Sequence, residues 1–225
     1  MKEKVSIYID GGNFYHLVLK KLGIQEVDFD FDGFARFLIN GRDIGAMGKR
    51  YYVGTVRERE GDEKSKESMA RQTRLFSNLK TTKWEIKTSK LRERKEKLVI
   101  DSRVEDYKTL RMKGVDEVNY IKNREKGIDV KIVTDLFMGA FDKQYDVAIV
   151  VSSDTDLVPA IDVIRHRFKK KIEYIGFSII DPKNKDNPTT PTLSLMKRTD
   201  IQRTLIESDI RSFVKTTLPL LALKK

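Results

Sequence analysis

The chain has 225 residues, 39% hydrophobic and 35% charged, with no cysteine, a formal net charge of +11 and a pI near 9.6. That apolar content suits one α/β domain with a full core, and it excludes disorder throughout, a disulfide framework and thiolate metal sites. The basic balance favours a polyanionic partner, nucleic acid before acidic lipid, although such a surface also serves plain solubility.

The first apolar stretch, residues 5–9, predicts a strand that ends in Asp10, Gly11, Gly12 and Asn13. The two glycines read as a tight turn, and Phe14, Leu17, Val18 and Leu22 fall at helical spacing over residues 13–22. Asp32 is a candidate N-cap for a second amphipathic segment, with Phe34, Phe37 and Leu38 inward and Gly41 closing it. RYYVGTV, residues 50–56, has the aromatic and β-branched content of a strand. Residues 57–68 are almost entirely charged or polar and read as a solvated loop, or as a flap contacting substrate. A helix over 69–79 and a strand over 84–89 follow.

Lys80, Lys83, Lys87, Lys90, Arg92, Arg94, Lys95 and Lys97 form the densest basic stretch. With Trp84 interleaved as a stacking platform, Lys87, Lys90, Arg92, Arg94 and Lys95 are candidate nucleic-acid contacts that track a phosphate backbone. Trp84 also suits sheet packing, and a lysine-rich strand also guards a sheet edge against aggregation. Residues 90–126 read as an insertion with one short strand-like piece at 118–121. After Gly127 a helix is predicted over 129–141, with Val133, Leu136, Phe137 and Ala140 on one face. Asp129 shares that face, where it also reads as a simple first-turn cap, and Asp135 lies well round from it.

The segment YDVAIVVSSDTDLVP, residues 145–159, is the centre of the pattern. Its run 147–151 predicts a strand buried on both faces that breaks at Ser152 and Ser153 into a turn carrying Asp154 and Asp156. Leu157, Ile161, Ile164 and Phe168 mark the next helix, with Pro159 in its first turn, and residues 172–177 the next strand. Residues 181–191 read as a loop, 193–218 as one or two helices packing back, and LLALKK as a tail. The alternation predicts an α/β fold with a mostly parallel central sheet and helices on both faces. One domain is expected over 1–180, with a basic, insertion-rich region at about 57–125, and 181–225 packed on it. No apolar run approaches the roughly 18 residues of a membrane span and no signal peptide is visible, so a soluble cytoplasmic protein is expected.

Asp10, Asp129, Asp154 and Asp156 come from separate segments that such a fold brings to one sheet edge, where ligands bind. Two carboxylates about 4 Å apart repel by roughly 4 kcal/mol at an effective dielectric near 20, so the cluster calls for a cation. Oxygen ligands without His or Cys suit Mg²⁺ or Mn²⁺, and with such ions the natural chemistry is phosphodiester hydrolysis. His16 and His166, the only histidines, lie in predicted helices as surface or packing residues, and Gly11-Gly12 lacks the spacing of a dinucleotide or P-loop fingerprint.

YIDGGNFY at 8–15, KGIDVKIVTDL at 126–136, YDVAIVVSSDTDLVPAI at 145–161 and KIEYIGF at 171–177 together resemble the NYN domain family, the LabA-like group of the PIN-like nucleases. The resemblance implies a PIN-like three-layer sandwich and a metal-dependent endoribonuclease, with RNA favoured over DNA and room for a homo-oligomer. It places Asp10, Asp129, Asp154 and Asp156 in the acidic site, Asn13, Ser152 and Ser153 as its hydrogen-bonding support, and Asp135 as a further acid of the motif. A non-catalytic nucleic-acid-binding module of the same fold and a small-molecule phosphatase are the alternatives.

Overall fold

The computed structural model describes residues 2–56, 58, 61–90, 92–124, 127–182 and 184–215. Strand β1 (Lys4–Asp10) is buried from its second residue on. Helix α1 (Gly11–Phe14) follows at once and continues into a π-helical turn, Tyr15–Leu19. Gly11 and Gly12 are therefore helical residues, not a turn before the helix. Gly11 is required by space: a Cβ there would lie 2.4 Å from the Tyr51 ring.

Helix α2 (Phe31–Ile39) is capped by Asp30, which accepts from the Gly33 amide at 3.0 Å, and it ends at Asn40 in the left-handed region. Asp32, the cap expected from sequence, instead pairs with Arg36 and Lys49, and Phe37 is 42% exposed rather than inward. Strand β2 (Asp43–Thr55) starts earlier than its aromatic run suggests. Helix α3 (Glu63–Thr81), capped by Asp62, takes up the second half of the polar stretch expected to be a loop, because those charges form its solvent face. Arg57, at the start of that stretch, lies outside the described residues.

Strand β3 (Trp84–Lys90) precedes a separate antiparallel pair, β4 (Arg92–Val99) and β5 (Glu117–Arg124), with the short helix α4 (Tyr107–Met112) in their connection. The predicted insertion is thus a hairpin, and its strand 118–121 is the middle of β5. Helix α5 (Ile128–Phe141) and the wholly buried strand β6 (Val147–Val151) follow. Lys126 of the KGIDV motif lies outside the described residues. A 3-10 turn at Thr155–Leu157 leads into helix α6 (Val158–Phe168), with Pro159 in its first turn where no amide donor is needed.

Strand β7 (Lys171–Asp181) turns into β8 (Asn184–Thr189), antiparallel to it, so the Pro- and Asn-rich segment is a hairpin arm rather than a loop. Its arm is pinned to the first helical segment where Thr189 donates to the Leu17 carbonyl at 2.6 Å. Helix α7 (Leu193–Arg198), strand β9 (Ile201–Ile206) and helix α8 (Glu207–Arg211) complete the chain as far as it is described. The predicted helical C-terminus therefore contains a strand: Ile201, Arg203 and Leu205 turn inward at period two while Gln202, Thr204 and Ile206 stay exposed. Residues 216–218 and the LLALKK tail lie outside the described residues.

The sheet runs β3-β2-β1-β6-β7-β9, all parallel, with β8 antiparallel at the end of β7. Successive residues of β1 feed two cores. Val5, Ile7 and Ile9 pack with Phe14, Phe29, Phe34, Leu75 and Ile210 on the α1, α2, α3 and α8 side. Tyr8 faces Tyr52, Ile132, Leu136, Tyr145 and Ile161 on the α5 and α6 side. The result is a three-layer α/β/α sandwich in which β7, β8 and β9 form one sheet continuous across residue 180.

Chain order reverses between β1 and β6: β2 and β3 extend the sheet one way, β7 and β9 the other. In parallel sheets that reversal opens a crevice at the carboxyl ends of the two strands. Asp10 ends β1 and Ser152 follows β6, so both stand at its mouth.

Asp200 fastens the last strand. Its carboxylate accepts from Arg165 Nε at 2.9 Å, Arg165 Nη2 at 2.7 Å and the Ile172 amide at 2.8 Å. Burial alone would raise this carboxyl, but the Arg165 and Ile172 hydrogen bonds and the nearby Arg165 and Lys171 charges outweigh it and hold it below its usual value. A depressed folded-state pKa contributes stability that is present above the unfolded value and lost as pH falls through the folded one. Asp200→Asn is expected to cost about 1–3 kcal/mol at pH 7, and urea titrations across pH should show the gap to wild type closing as the pH falls below the usual aspartate range.

Candidate active site

The site is built from two turns that follow adjacent parallel strands. Ile9 and Val151 are register partners, which brings the next residues, Asp10 and Ser152, side by side. Asp10 is 7% exposed, and its Oδ1 accepts from the Asn13 amide at 3.0 Å, capping α1. The Ser152 hydroxyl donates to Asp10 Oδ2 at 3.3 Å and accepts from the Asp154 amide at 3.1 Å. Asn13 Oδ1 accepts from the Ser153 amide at 3.1 Å, a second bridge between the turns. Asp154 Oδ1 then accepts from the Asp156 amide at 2.9 Å and caps the 3-10 turn.

Asp129 enters from the first turn of α5, opposite the second turn. Burial first, then the charge of Asp154, a hydrogen bond shared with it and the charge of Asp156 hold the Asp129 carboxyl above its usual range. Among the described residues no lysine or arginine pairs with Asp129, Asp154 or Asp156. In a chain with 45 basic residues that is a pronounced local excess of negative charge. The donor set is oxygen only, which fits a hard divalent cation such as Mg²⁺ or Mn²⁺ rather than zinc. Among the described residues no three acidic or histidine side chains converge into a ready-made metal cage. Asp10 is linked to the Asp154 turn through the Ser152 hydroxyl.

The remaining sequence candidates lie elsewhere. Asp135 accepts from Arg50 Nη1 at 2.6 Å and the Tyr52 hydroxyl at 2.7 Å, with Lys87 at 4.0 Å. It ties α5 to β2 and β3 rather than supporting the acids, because the helix turns it away from Asp129. Trp84 is only 4% exposed: it packs edge-on against Phe31, with the Lys49 ammonium 5.4 Å from its ring centre. A base cannot stack on a buried ring, so Trp84 is a core residue and not a nucleic-acid contact.

Lys87 is half-buried and paired with Glu85 at 2.6 Å. Lys90, Arg94 and Lys95 are exposed at the end of β3 and along β4, and the Arg92 side chain lies outside the described residues. The hairpin that carries Arg94 and Lys95 joins the body between β3 and α5, at the sheet edge that bears the acids.

Sequence reasoning missed two features. Thr192 donates from its hydroxyl to the Ser153 carbonyl at 3.2 Å and from its amide to the Tyr174 hydroxyl at 3.0 Å, bracing the acidic turn from behind. A cleft of about 270 Å³ opens beside Gly11 and Gly12, with the exposed His16 and Arg71 in its wall. Its lining comes from separate stretches of chain, so no local motif announces it.

The family model described as "NYN domain" matches residues 4–193. The chain belongs to the NYN domain family. That family lies within the PIN-like superfamily, so the sandwich here is a PIN-like nuclease fold. A solved protein of unknown function from Vibrio parahaemolyticus shares the fold with a TM-score of 0.52 at 19% identity, over 91% of this chain and 93% of that one. No curated protein matches the sequence. Among the described residues no helix is long and apolar enough to cross a membrane.

The Asn13 bridge gives a direct test of how this NYN site is held. Asn13→Ala leaves the Ser153 amide without its acceptor and should cost about 1–3 kcal/mol, seen as a lowered urea midpoint with an unchanged slope.

Proposed function

We propose that this NYN domain is a metal-dependent endoribonuclease. The observation that carries the reading is the group of Asp129, Asp154 and Asp156 without basic partners, joined through Ser152 to Asp10 at the sheet reversal. A surface that only binds a polyanion gains nothing from such a concentration of negative charge, which weighs against a purely binding module. Asp10, Asp129, Asp154 and Asp156 would hold Mg²⁺ or Mn²⁺, which when bound supplies Lewis acidity toward the phosphodiester and the attacking water.

The protein's own contribution is orientation. The Ser152 hydroxyl sets the spacing of Asp10 and the turn of Asp154, and Asn13 keeps the two turns from separating. Lys90 at the end of β3 and Arg94 and Lys95 on the hairpin rooted at the same edge supply positive charge to the phosphates entering it. The net charge of +11 supports a polymeric substrate over a small phosphate ester. RNA before DNA is the preference that the family membership supports.

Asp154→Asn is expected to reduce cleavage of labelled single-stranded RNA at least about 100-fold in Mn²⁺ or Mg²⁺ while RNA binding persists. EDTA should abolish cleavage by wild type, and matched DNA should be cut more slowly. Independently of activity, Mn²⁺ should raise the melting temperature of wild type and move that of the variant much less. Full cleavage by Asp154→Asn would remove the assignment.

Changing Lys90, Arg94 and Lys95 together to Gln should weaken RNA binding. It should also flatten the plot of log affinity against log salt by about 2, the loss of three single-strand phosphate contacts at ~0.7 each. An unaltered slope would show these side chains to be bystanders.

A further inference from the structure

The cleft beside Gly11 and Gly12 is unused by the acids, yet it begins at the residue that follows Asp10. At about 270 Å³ it lies below the range of sites that enclose drug-sized ligands, and it suits a single planar heterocycle. Its floor carries no side chain at Gly11 or Gly12. On one wall Tyr15 and His16 stand as an edge-to-face pair with ring centres 5.1 Å apart, and Val53 adds an apolar surface. Partial burial, and the charge of Lys20, lower the His16 pKa and so favour the neutral ring.

The polar groups are selective ones. Glu26 lies in the wall, half-buried, with one carboxylate oxygen accepting from the Tyr51 hydroxyl at 2.6 Å. Burial raises its carboxyl by more than that hydrogen bond lowers it, the mark of a carboxylate short of donors. Among the described residues no lysine or arginine pairs with it. Arg71 stands at the rim with its side chain 48% exposed, 3.6 Å from Glu67, and can turn toward a phosphate.

We propose that this cleft is a nucleobase subsite that takes one unpaired guanine of the RNA strand whose backbone crosses the acids. Glu26 accepts from two adjacent N–H groups of the base edge, the Tyr15–His16 pair supplies the stacking wall and Arg71 meets the neighbouring phosphate. Guanine fits because it alone among the four bases offers two neighbouring N–H donors to a carboxylate. The inference rests on the nuclease reading, and it turns a backbone-tracking enzyme into one with a preferred register.

The test uses the full chain carrying Asp154→Asn, so that binding is read without cleavage. Fluorescence anisotropy should show a ten-residue oligouridine binding about 10-fold tighter when one central residue is guanosine. A single abasic residue in that place should remove the gain. Adding Glu26→Gln, which keeps an acceptor for Tyr51, should reduce the guanosine advantage below about twofold and leave oligouridine binding unchanged. Adding Arg71→Ala should weaken all strands alike.

Equal affinity for the guanosine, uridine and abasic strands would overturn the subsite, as would an advantage that survives Glu26→Gln. Should Glu26→Gln fail to fold, the ring signals of the two histidines in the unaltered protein decide: GMP should shift those of His16 and UMP should not. No shift with GMP would overturn the proposal. Cleavage by wild type in Mn²⁺ is scored separately. Cutting without guanine preference removes the subsite and keeps the nuclease, whereas preference without cutting does the reverse.

Discussion

A buried serine hydroxyl helps join the two halves of the site. Ser152 donates to the last carboxylate of one central strand and accepts from the amide that orients the next acid, so this one rotor couples Asp10 to Asp154 beside the Asn13 bridge. That rotor is buried at the point where the sheet reverses direction, and both flanking strands are packed on both faces. Asp10 and Asp154 are held by hydrogen bonds to neutral groups, which do not cancel their charge.

Around this frame the molecule separates charge by sign. Glu173, Asp200 and Asp135 are each matched by arginines that tie strands and helices together. Exposed basic side chains line the hairpin between β3 and α5, and the group of Asp129, Asp154 and Asp156 stands at the edge from which that hairpin rises. A polyanion meets attractive charge on its way in and a negative centre at its destination, an arrangement that suits binding through a cation.

The sequence revealed what local chemistry determines. The uninterrupted apolar run of β6 and the Asp-Gly-Gly ending of β1 declare both strands and their polar ends, and alternation with helices declares a parallel sheet. Features that depend on distant partners were hidden. Trp84 sits among lysines in sequence, yet the alternation of WEIKTSK turns it toward Phe31 and sends its neighbours out. β9 reads as helix because Leu193 to Leu195 and Ile206 to Ile210 flank it, and only pairing with β7 exposes its period of two. Asp135 and Asp129 share one motif, and the helix sends them to different neighbourhoods.

The bond from Ser152 to Asp10 spans 142 residues of chain, and the pairing of β1 with β6 has the same reach. Such distant closure is slow and is made late, after the intervening elements have formed. During synthesis the first acid waits for most of the protein to be made before it gains its neighbours. The acidic centre therefore comes together only once β6 has been made and has paired with β1, so a chain that ends before Ser152 carries the first acid without its neighbours.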